Sequence, residues 1–87
     1  MKVIVIGLGS MGKRRIRLLS EHKDVEIYGI DTQEQRCKEV EDKFGIKCFA
    51  SIDEVCKVEP VEAAIISTSP LSHAVIIKDC LNHNLHV

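Results

Sequence analysis

Apolar residues gather in four short runs, at residues 3–6, 25–30, 46–49 and 61–67. Polar residues dominate the segments between them. The first run, Val3 to Ile6, is continuous and β-branched, which is typical of a strand covered on both faces in a parallel sheet. We therefore predict four strands, with the first at the centre of the sheet. Residues 85–87 have the pattern of an opening fifth strand.

The segments between the runs have helical signals. In the first of these segments, Gly12, Ile16 and Leu19 fall on one face of a helix. In the second segment, Gly45 is placed to end the helix in a left-handed conformation. Asp31 or Thr32 could cap that helix. The sequence predicts helices at about residues 11–22, 33–43, 52–58 and 71–82, the third opened by a capping box at Ser51-Ile-Asp-Glu.

This alternation of strand and helix predicts an α/β fold. Short links and right-handed crossovers favour a Rossmann-type three-layer sandwich with a parallel sheet of order 3-2-1-4-5, truncated in the fifth strand. A chain of 87 residues forms one small domain, here residues 1–87. Because the fifth strand begins where the sequence stops, we expect a fragment of a longer protein.

Composition excludes several classes of protein. Net charge is -1 and aromatic residues are 3% of the chain, which argues against nucleic acid as a partner. No apolar run approaches the roughly 20 residues of a membrane-spanning helix. The four cysteines form no Cys-x-x-Cys pair and no signal peptide precedes the first strand. We expect a cytoplasmic protein without disulfides.

Three glycines follow the first strand and open the first helix. In such a turn, Gly7 allows the tight bend, Gly9 lets the backbone approach a pyrophosphate, and Gly12 lets helix and strand pack closely. Free backbone N–H groups at the helix start would hold the pyrophosphate. A tight turn in a domain that binds no nucleotide is the alternative. The candidate cofactor contacts are Gly7, Leu8, Gly9, Ser10, Met11 and Gly12.

Asp31 ends the second strand, where ligands bind in open parallel sheets. Its carboxylate could accept hydrogen bonds from the adenosine ribose and would repel a 2′-phosphate, which favours NAD over NADP. Thr32 is assigned to the same site. Asp31 could instead only cap the second helix. Arg36 could reach a 2′-phosphate, so NADP remains possible.

Two other groups of residues carry weaker hypotheses. Lys13, Arg14, Arg15 and Arg17 crowd the start of the first helix. We interpret them mainly as a solvated basic face, with Arg14 or Arg15 as a possible phosphate contact. Cys80, His83 and His86 have a spacing seen in zinc sites. Because the last of them enters a strand, the three side chains are not expected to converge, and no metal site is predicted.

His73 follows the fourth strand after the turn Thr68-Ser69-Pro70. This position borders the predicted cofactor crevice at the carboxyl edge of the sheet. A histidine facing solvent in the first turn of a helix is the alternative.

These motifs together resemble the N-terminal domain of the glucose-fructose oxidoreductase and inositol dehydrogenase group, the Gfo/Idh/MocA family. The resemblance rests on the glycine turn, Asp31, the Ser51-Ile-Asp-Glu box, and the Pro70 turn with His73. Residues 84–87 look like the family's Gly-Lys-His-Val stretch, although Asn84 replaces the usual glycine. The resemblance implies that Ser67, Thr68, Ser69 and Pro70 lie along the cofactor and that His73 shapes the region near it.

The resemblance also implies an NAD(P)-dependent oxidoreductase that acts on sugars, cyclitols or related hydroxy and carbonyl compounds. In the family, a lysine of a Glu-Lys-Pro motif and a second domain complete the enzyme, which is expected to be a homo-oligomer. Neither feature lies within these 87 residues. We therefore assign no catalytic residue here and expect no turnover by this segment alone. The alternative is a regulatory module that senses NAD(H) without chemistry.

Overall fold

The computed structural model of the chain describes residues 1–68 and 73–87. In chain order the elements are β1 (Lys2–Ile6), α1 (Ser10–Leu19), β2 (Glu26–Ile30), α2 (Glu34–Phe44), β3 (Cys48–Phe49), α3 (Ile52–Val58), β4 (Ala63–Ile66) and α4 (His73–Asn82). The strands form one sheet in the order β3-β2-β1-β4, and every pair is parallel. The predicted fold class is confirmed.

The position of β1 follows from its apolar run. Val3, Ile4, Val5 and Ile6 are all buried. On one side Ile6 lies opposite Ile30 of β2, and on the other it lies opposite Ile66 of β4. A strand paired on both edges and covered on both faces needs apolar side chains pointing both ways. The continuous β-branched run meets that need.

The start of a fifth strand is limited to one bridge. His86 pairs in parallel with Ala63 beside β4. Ala64 N donates to His86 O at 2.7 Å, and His86 N donates to Glu62 O at 3.0 Å. These residues therefore lie where the predicted order places the fifth strand.

Helices cover both faces of the sheet, and alternate residues of β1 point to the two sides. Ile4 packs in a core that includes Val55 of α3 and Cys80 of α4. Val5 packs in a second core with Ile16 of α1 and Val40 of α2. The molecule therefore has the three predicted layers.

The boundaries of several elements differ from the prediction. Helix α1 ends at Leu19, and its C-cap is Ser20, whose backbone N–H and hydroxyl both donate to the carbonyl of Ile16. Strand β3 has only two residues, and β4 begins at Ala63. The prediction that Asp31 or Thr32 is the N-cap of α2 is wrong: the N-cap is Gln33. The predicted start of the fourth helix, residue 71, lies outside the described residues.

The predicted helix signals at Gly45 and Ser51 are confirmed. Gly45 follows α2 with φ of 69°, in the left-handed region. Ser51 Oγ accepts a hydrogen bond from Glu54 N at 3.2 Å. The Glu54 carboxylate reaches back to Ala50 N at 3.1 Å, one residue before the N-cap. This box fixes the direction in which α3 leaves β3.

The four cysteines are free. Burial raises the pKa of the Cys48 thiol to about 12, so this side chain behaves as a small apolar group. In the part of the chain that the structure describes, no helix is long and apolar enough to cross a membrane.

Candidate functional site

The glycine turn joins the end of β1 to α1 and is held by β2. Gly7 has φ of 95°, a conformation that disfavours any residue with a Cβ atom. Its N–H donates to Ile30 O at 2.8 Å. The next N–H, of Leu8, donates to Asp31 Oδ2 at 2.9 Å, while the Leu8 side chain is fully buried. The carboxylate therefore fixes the turn from the end of the neighbouring strand.

Gly12 brings α1 into contact with this turn. A Cβ atom on Gly12 would lie 1.8 Å from Gly7 O, which no relaxation of a side chain could relieve. Gly9 differs, because the atoms nearest to a Cβ there belong to the flexible Arg36 side chain, 4.0 Å away. One face of the turn is thus packed tightly against the helix, and the backbone at Gly9 is open to approach.

The Asp31 carboxylate lies at the carboxyl end of β2, and its side chain is only 7% exposed. Besides the Leu8 N–H, it accepts a hydrogen bond from Gln33 N at 2.8 Å through Oδ1. Arg36 Nη1 lies 3.6 Å from Oδ2. A carboxylate has about four acceptor positions. Two of these positions accept hydrogen bonds from backbone N–H groups here. The remaining positions can accept hydrogen bonds from other donors.

Arg15 extends from α1 to the end of β4. One of its guanidinium nitrogens, Nη1, donates to Ile66 O at 2.9 Å and to Ser67 Oγ at 3.1 Å. One nitrogen of the Arg15 guanidinium is therefore bonded to the segment after β4. Sequence patterns do not indicate this role, since the partners of Arg15 are 51 and 52 residues further along the chain. The hypothesis that Arg14 or Arg15 contacts phosphate stays a prediction.

The segment after β4 packs against the glycine turn. The Thr68 methyl group would lie 2.8 Å from a Cβ on Gly7. Its hydroxyl oxygen is buried and has no hydrogen-bond partner among the described residues. The Thr68 carbonyl oxygen accepts a hydrogen bond from His73 Nε2 at 3.0 Å. His73 therefore ties the start of α4 back to Thr68, a role that differs from simple exposure to solvent.

A cleft of about 540 Å³ opens along the carboxyl ends of β1, β2 and β4. Ligands bind at this edge of open α/β sheets, beside the strand where the order reverses. Here β1 is that strand. The cleft is in the size range of small-molecule sites. Its walls include seven of the predicted site residues, namely Gly7, Gly9, Asp31, Thr32, Arg36, Ser67 and Thr68.

Other predicted residues stand behind or beside the cleft. Leu8 and Gly12 are buried, Ser10 and Met11 are exposed, and His73 is half-buried. None of these five residues lines the cleft. Ser69 and Pro70 lie outside the described residues. Three residues that were not predicted for the site, Ala50, Ser51 and Ile52, also reach the cleft, because they follow β3 at the same sheet edge. Asp79 of α4 also lines it, without any signal in the sequence.

The three residues with zinc-like spacing have separate environments. Cys80 is fully buried, and His86 pairs through its backbone beside β4. His83 Nδ1 donates to Asp79 O at 2.9 Å, and Nε2 lies 3.5 Å from Asp53 Oδ1. Within residues 1–68 and 73–87, no three His, Cys, Asp or Glu side chains group to hold a metal ion.

The sequence and fold match known proteins. The family model described as "Oxidoreductase family, NAD-binding Rossmann fold" for Gfo/Idh/MocA matches residues 1–87. A comparison with curated protein sequences gives no significant match.

Solved structures of larger oxidoreductases contain a domain like this one. A probable dehydrogenase from Thermotoga maritima is 26% identical, with a TM-score of 0.88 over 100% of this chain and 27% of its own. Scyllo-inositol dehydrogenase from Lactobacillus casei, with bound NAD(H) and scyllo-inositol, is 19% identical, with a TM-score of 0.86 over 100% of this chain and 26% of its own.

A third structure, a 3-ketoreductase from Actinomadura kijaniata in complex with NADP and TDP-benzene, is 21% identical. Its TM-score is 0.87 over 100% of this chain and 27% of its own. The chain thus spans about a quarter of the length of the structures it matches. With the family model matching from the first residue to the last, the chain belongs to the NAD-binding Rossmann-fold domain of the Gfo/Idh/MocA oxidoreductases.

Proposed function

We propose that this chain is the cofactor-binding domain of a longer two-domain enzyme that transfers hydride between a nicotinamide cofactor and a sugar, cyclitol or related compound. The observation that carries the proposal is the cleft at the carboxyl ends of β1, β2 and β4, where the glycine turn, Asp31 and Thr68 form adjoining walls. Bound nicotinamide would supply the hydride chemistry. The residues of this chain would bind and orient the cofactor.

The adenosine end would bind beside Asp31. The carboxylate is already held in place by Leu8 N and Gln33 N, so it needs no rearrangement to receive ribose hydroxyls. A fixed negative charge there favours NAD, because a 2′-phosphate would be repelled. Arg36, 3.6 Å away, offsets part of that charge. We propose a preference for NAD with measurable binding of NADP.

The pyrophosphate would bind at the start of α1. Lys13 N donates to Gly9 O, so the N–H groups of residues 10–12 precede the first helical bond of α1. Such groups bind anions at helix N-termini. The open backbone at Gly9 allows close approach. This arrangement supports assigning residues 7–12 to the cofactor site.

The cofactor would continue from the pyrophosphate past Ser67 and Thr68. Arg15 holds Ser67 by its hydroxyl, and His73 holds Thr68 by its carbonyl oxygen. The buried Thr68 hydroxyl has unused hydrogen-bonding capacity. We propose that these two residues form the cofactor wall and that Arg15 and His73 position them. Ser69 and Pro70 are proposed for the same wall on the family resemblance alone.

The identity of the substrate is proposed from the relatives. One relative was solved with scyllo-inositol and another is a 3-ketoreductase. A polyhydroxylated ring compound is therefore the substrate class we propose, with substrate contacts from a second domain. We further propose that the full-length enzyme is a cytoplasmic homo-oligomer.

Titration with NADH and NADPH, followed by cofactor fluorescence, tests the binding proposal. Asp31→Asn keeps the shape of the side chain and removes its charge, but its amide has only one acceptor oxygen, so one of the bonds from Leu8 N and Gln33 N is lost as well. Circular dichroism has to show that the variant keeps its fold. We expect it to weaken NADH binding about tenfold, since hydrogen bonds to a charged acceptor are lost. NADPH binding should weaken less or improve, because repulsion of its 2′-phosphate disappears.

Arg36→Gln is the matched variant, because it removes the positive charge beside Asp31. It should weaken NADPH more than NADH. Equal losses of both cofactors in Asp31→Asn would contradict the role of Asp31 in selecting NAD. Absence of saturable binding of either cofactor to the unaltered chain would overturn the proposed function. Binding without turnover of polyols by the longer protein would favour a sensing module instead.

A further inference from the structure

A second concave site lies between α1 and the end of α2. This groove has a volume of about 270 Å³ and is lined by Ser10, Lys13, Arg14, Arg17, Lys43 and Phe44. None of these residues lines the cofactor cleft. The groove is therefore a separate feature of the surface, although both features begin near the start of α1.

The groove concentrates positive charge, and salt bridges among the described residues neutralise it only at Lys13. Among the described residues, Arg14, Arg17 and Lys43 take part in no ion pair, and all three are exposed. Lys13 is paired with Glu39. No acidic side chain is among the described residues that line the groove. The whole chain has a net charge of -1, so this local excess is not a general property of its surface.

The position of the two arginines on α1 adds to this excess. They are three residues apart and so lie on one face of the helix. Their like charges repel each other at this spacing, and an anion in the groove would relieve that repulsion.

We propose that this groove binds a small multivalent phosphate anion, such as a diphosphate or triphosphate group. Guanidinium groups present paired donors that match phosphate oxygens, and Arg14 and Arg17 supply two of them. Lys43 adds a third cation from α2, with its Nζ 5.6 Å above the Phe44 ring. At about 270 Å³ the groove fits a compact anion better than a folded partner.

Calorimetric titration of the protein with sodium tripolyphosphate, at constant ionic strength, tests the proposal. We expect saturable binding at one site, and weaker binding of orthophosphate. Arg14→Gln combined with Arg17→Gln should weaken tripolyphosphate binding about tenfold or more. Lys43→Gln, on the other helix, should weaken it independently, and circular dichroism should show that each variant keeps its helices.

Lys23→Gln combined with Lys38→Gln is the matched control. This double variant also removes two positive charges, but from exposed positions outside the groove. Its affinity for tripolyphosphate should stay within about twofold of the unaltered protein, because neither side chain lines the groove. Equal weakening by both double variants, or lack of saturable binding, would overturn the proposal. Displacement of tripolyphosphate by NADH would overturn it as well, because it would place the anion in the cofactor cleft.

Discussion

Single glycines decide whether the turn after β1 can exist. Alanine in place of a helical glycine usually stabilises a protein by about 1 kcal/mol, because glycine is the poorer helix former. At Gly12 the contact with Gly7 O works in the opposite direction. A methyl group 1.8 Å from a backbone oxygen forces the helix and the turn apart. The cost of overpacking a fixed backbone, about 1–3 kcal/mol or more, exceeds the gain in helix propensity.

Replacing Gly12 with alanine should therefore lower the free energy of unfolding by about 1–3 kcal/mol in urea denaturation. Gly9→Ala is the control, since its Cβ would meet only the end of the Arg36 side chain. It should change stability by no more than about 0.5 kcal/mol. The new methyl group would still occupy the open face of the turn and should weaken NADH binding. Equal stability of the two variants would disprove the packing argument at Gly12.

The elements around the cleft are joined by long side chains as well as by the sheet. Strands β1 and β4 pair through their backbones, and Ser67 N, after the last residue of β4, still donates to Ile6 O at 2.7 Å. Arg15 crosses from α1 and gives Ile66 O and Ser67 Oγ a donor. Without it, a partly buried carbonyl and hydroxyl would need other donors. Helix α1 thus stabilises both the turn before it and the segment after β4.

Substitution of Arg15 with leucine should lower the free energy of unfolding by about 1–3 kcal/mol, the range for losing hydrogen bonds from a charged donor. Arg15→Lys should recover part of the loss, because an ammonium group can reach one acceptor but lacks the guanidinium geometry. The neighbouring Arg14 is exposed. Arg14→Leu should therefore change stability by less than about 0.5 kcal/mol. Similar losses for Arg14→Leu and Arg15→Leu, measured by urea denaturation, would show that the bonds of Arg15 contribute little.

Across the whole molecule, the sequence was sufficient where structure depends on local chemistry and periodicity. The continuous run at β1 predicted a central strand, Gly45 predicted the end of α2, and Ser51 with Glu54 predicted the start of α3. The sequence was insufficient where the role of a residue depends on contact with atoms that are far away along the chain. In the sequence, Arg15 could not be distinguished from its exposed neighbours, because its hydrogen-bond partners lie at the end of β4. Asp31 was recognisable from its place after β2, but its bond to Leu8 N required the turn in three dimensions.

One connection between helices of the whole molecule contains a titrating side chain, His83, which links α4 to α3. On the face covered by α3 and α4, His83 donates from Nδ1 to the carbonyl of Asp79 and places Nε2 3.5 Å from Asp53. The hydrogen bond to Asp79 raises the pKa of His83 above 6.5, the nearby carboxylates raise it further, and partial burial opposes the shift. Lys57, 3.0 Å from Asp53, also faces this group.

Because the folded state raises this pKa, the folded protein binds the proton more tightly than the unfolded chain. The stabilisation is fully present below the unfolded pKa of about 6.5 and is lost as the pH rises through the higher folded value. Urea denaturation should show that His83→Gln loses more stability at about pH 5.5 than at about pH 8.5. The same substitution at the exposed His22 is the control for the effect of a histidine-to-glutamine change as such. If His83→Gln lost the same amount of stability at both pH values, the contribution of His83 would come from its neutral ring and not from its charge.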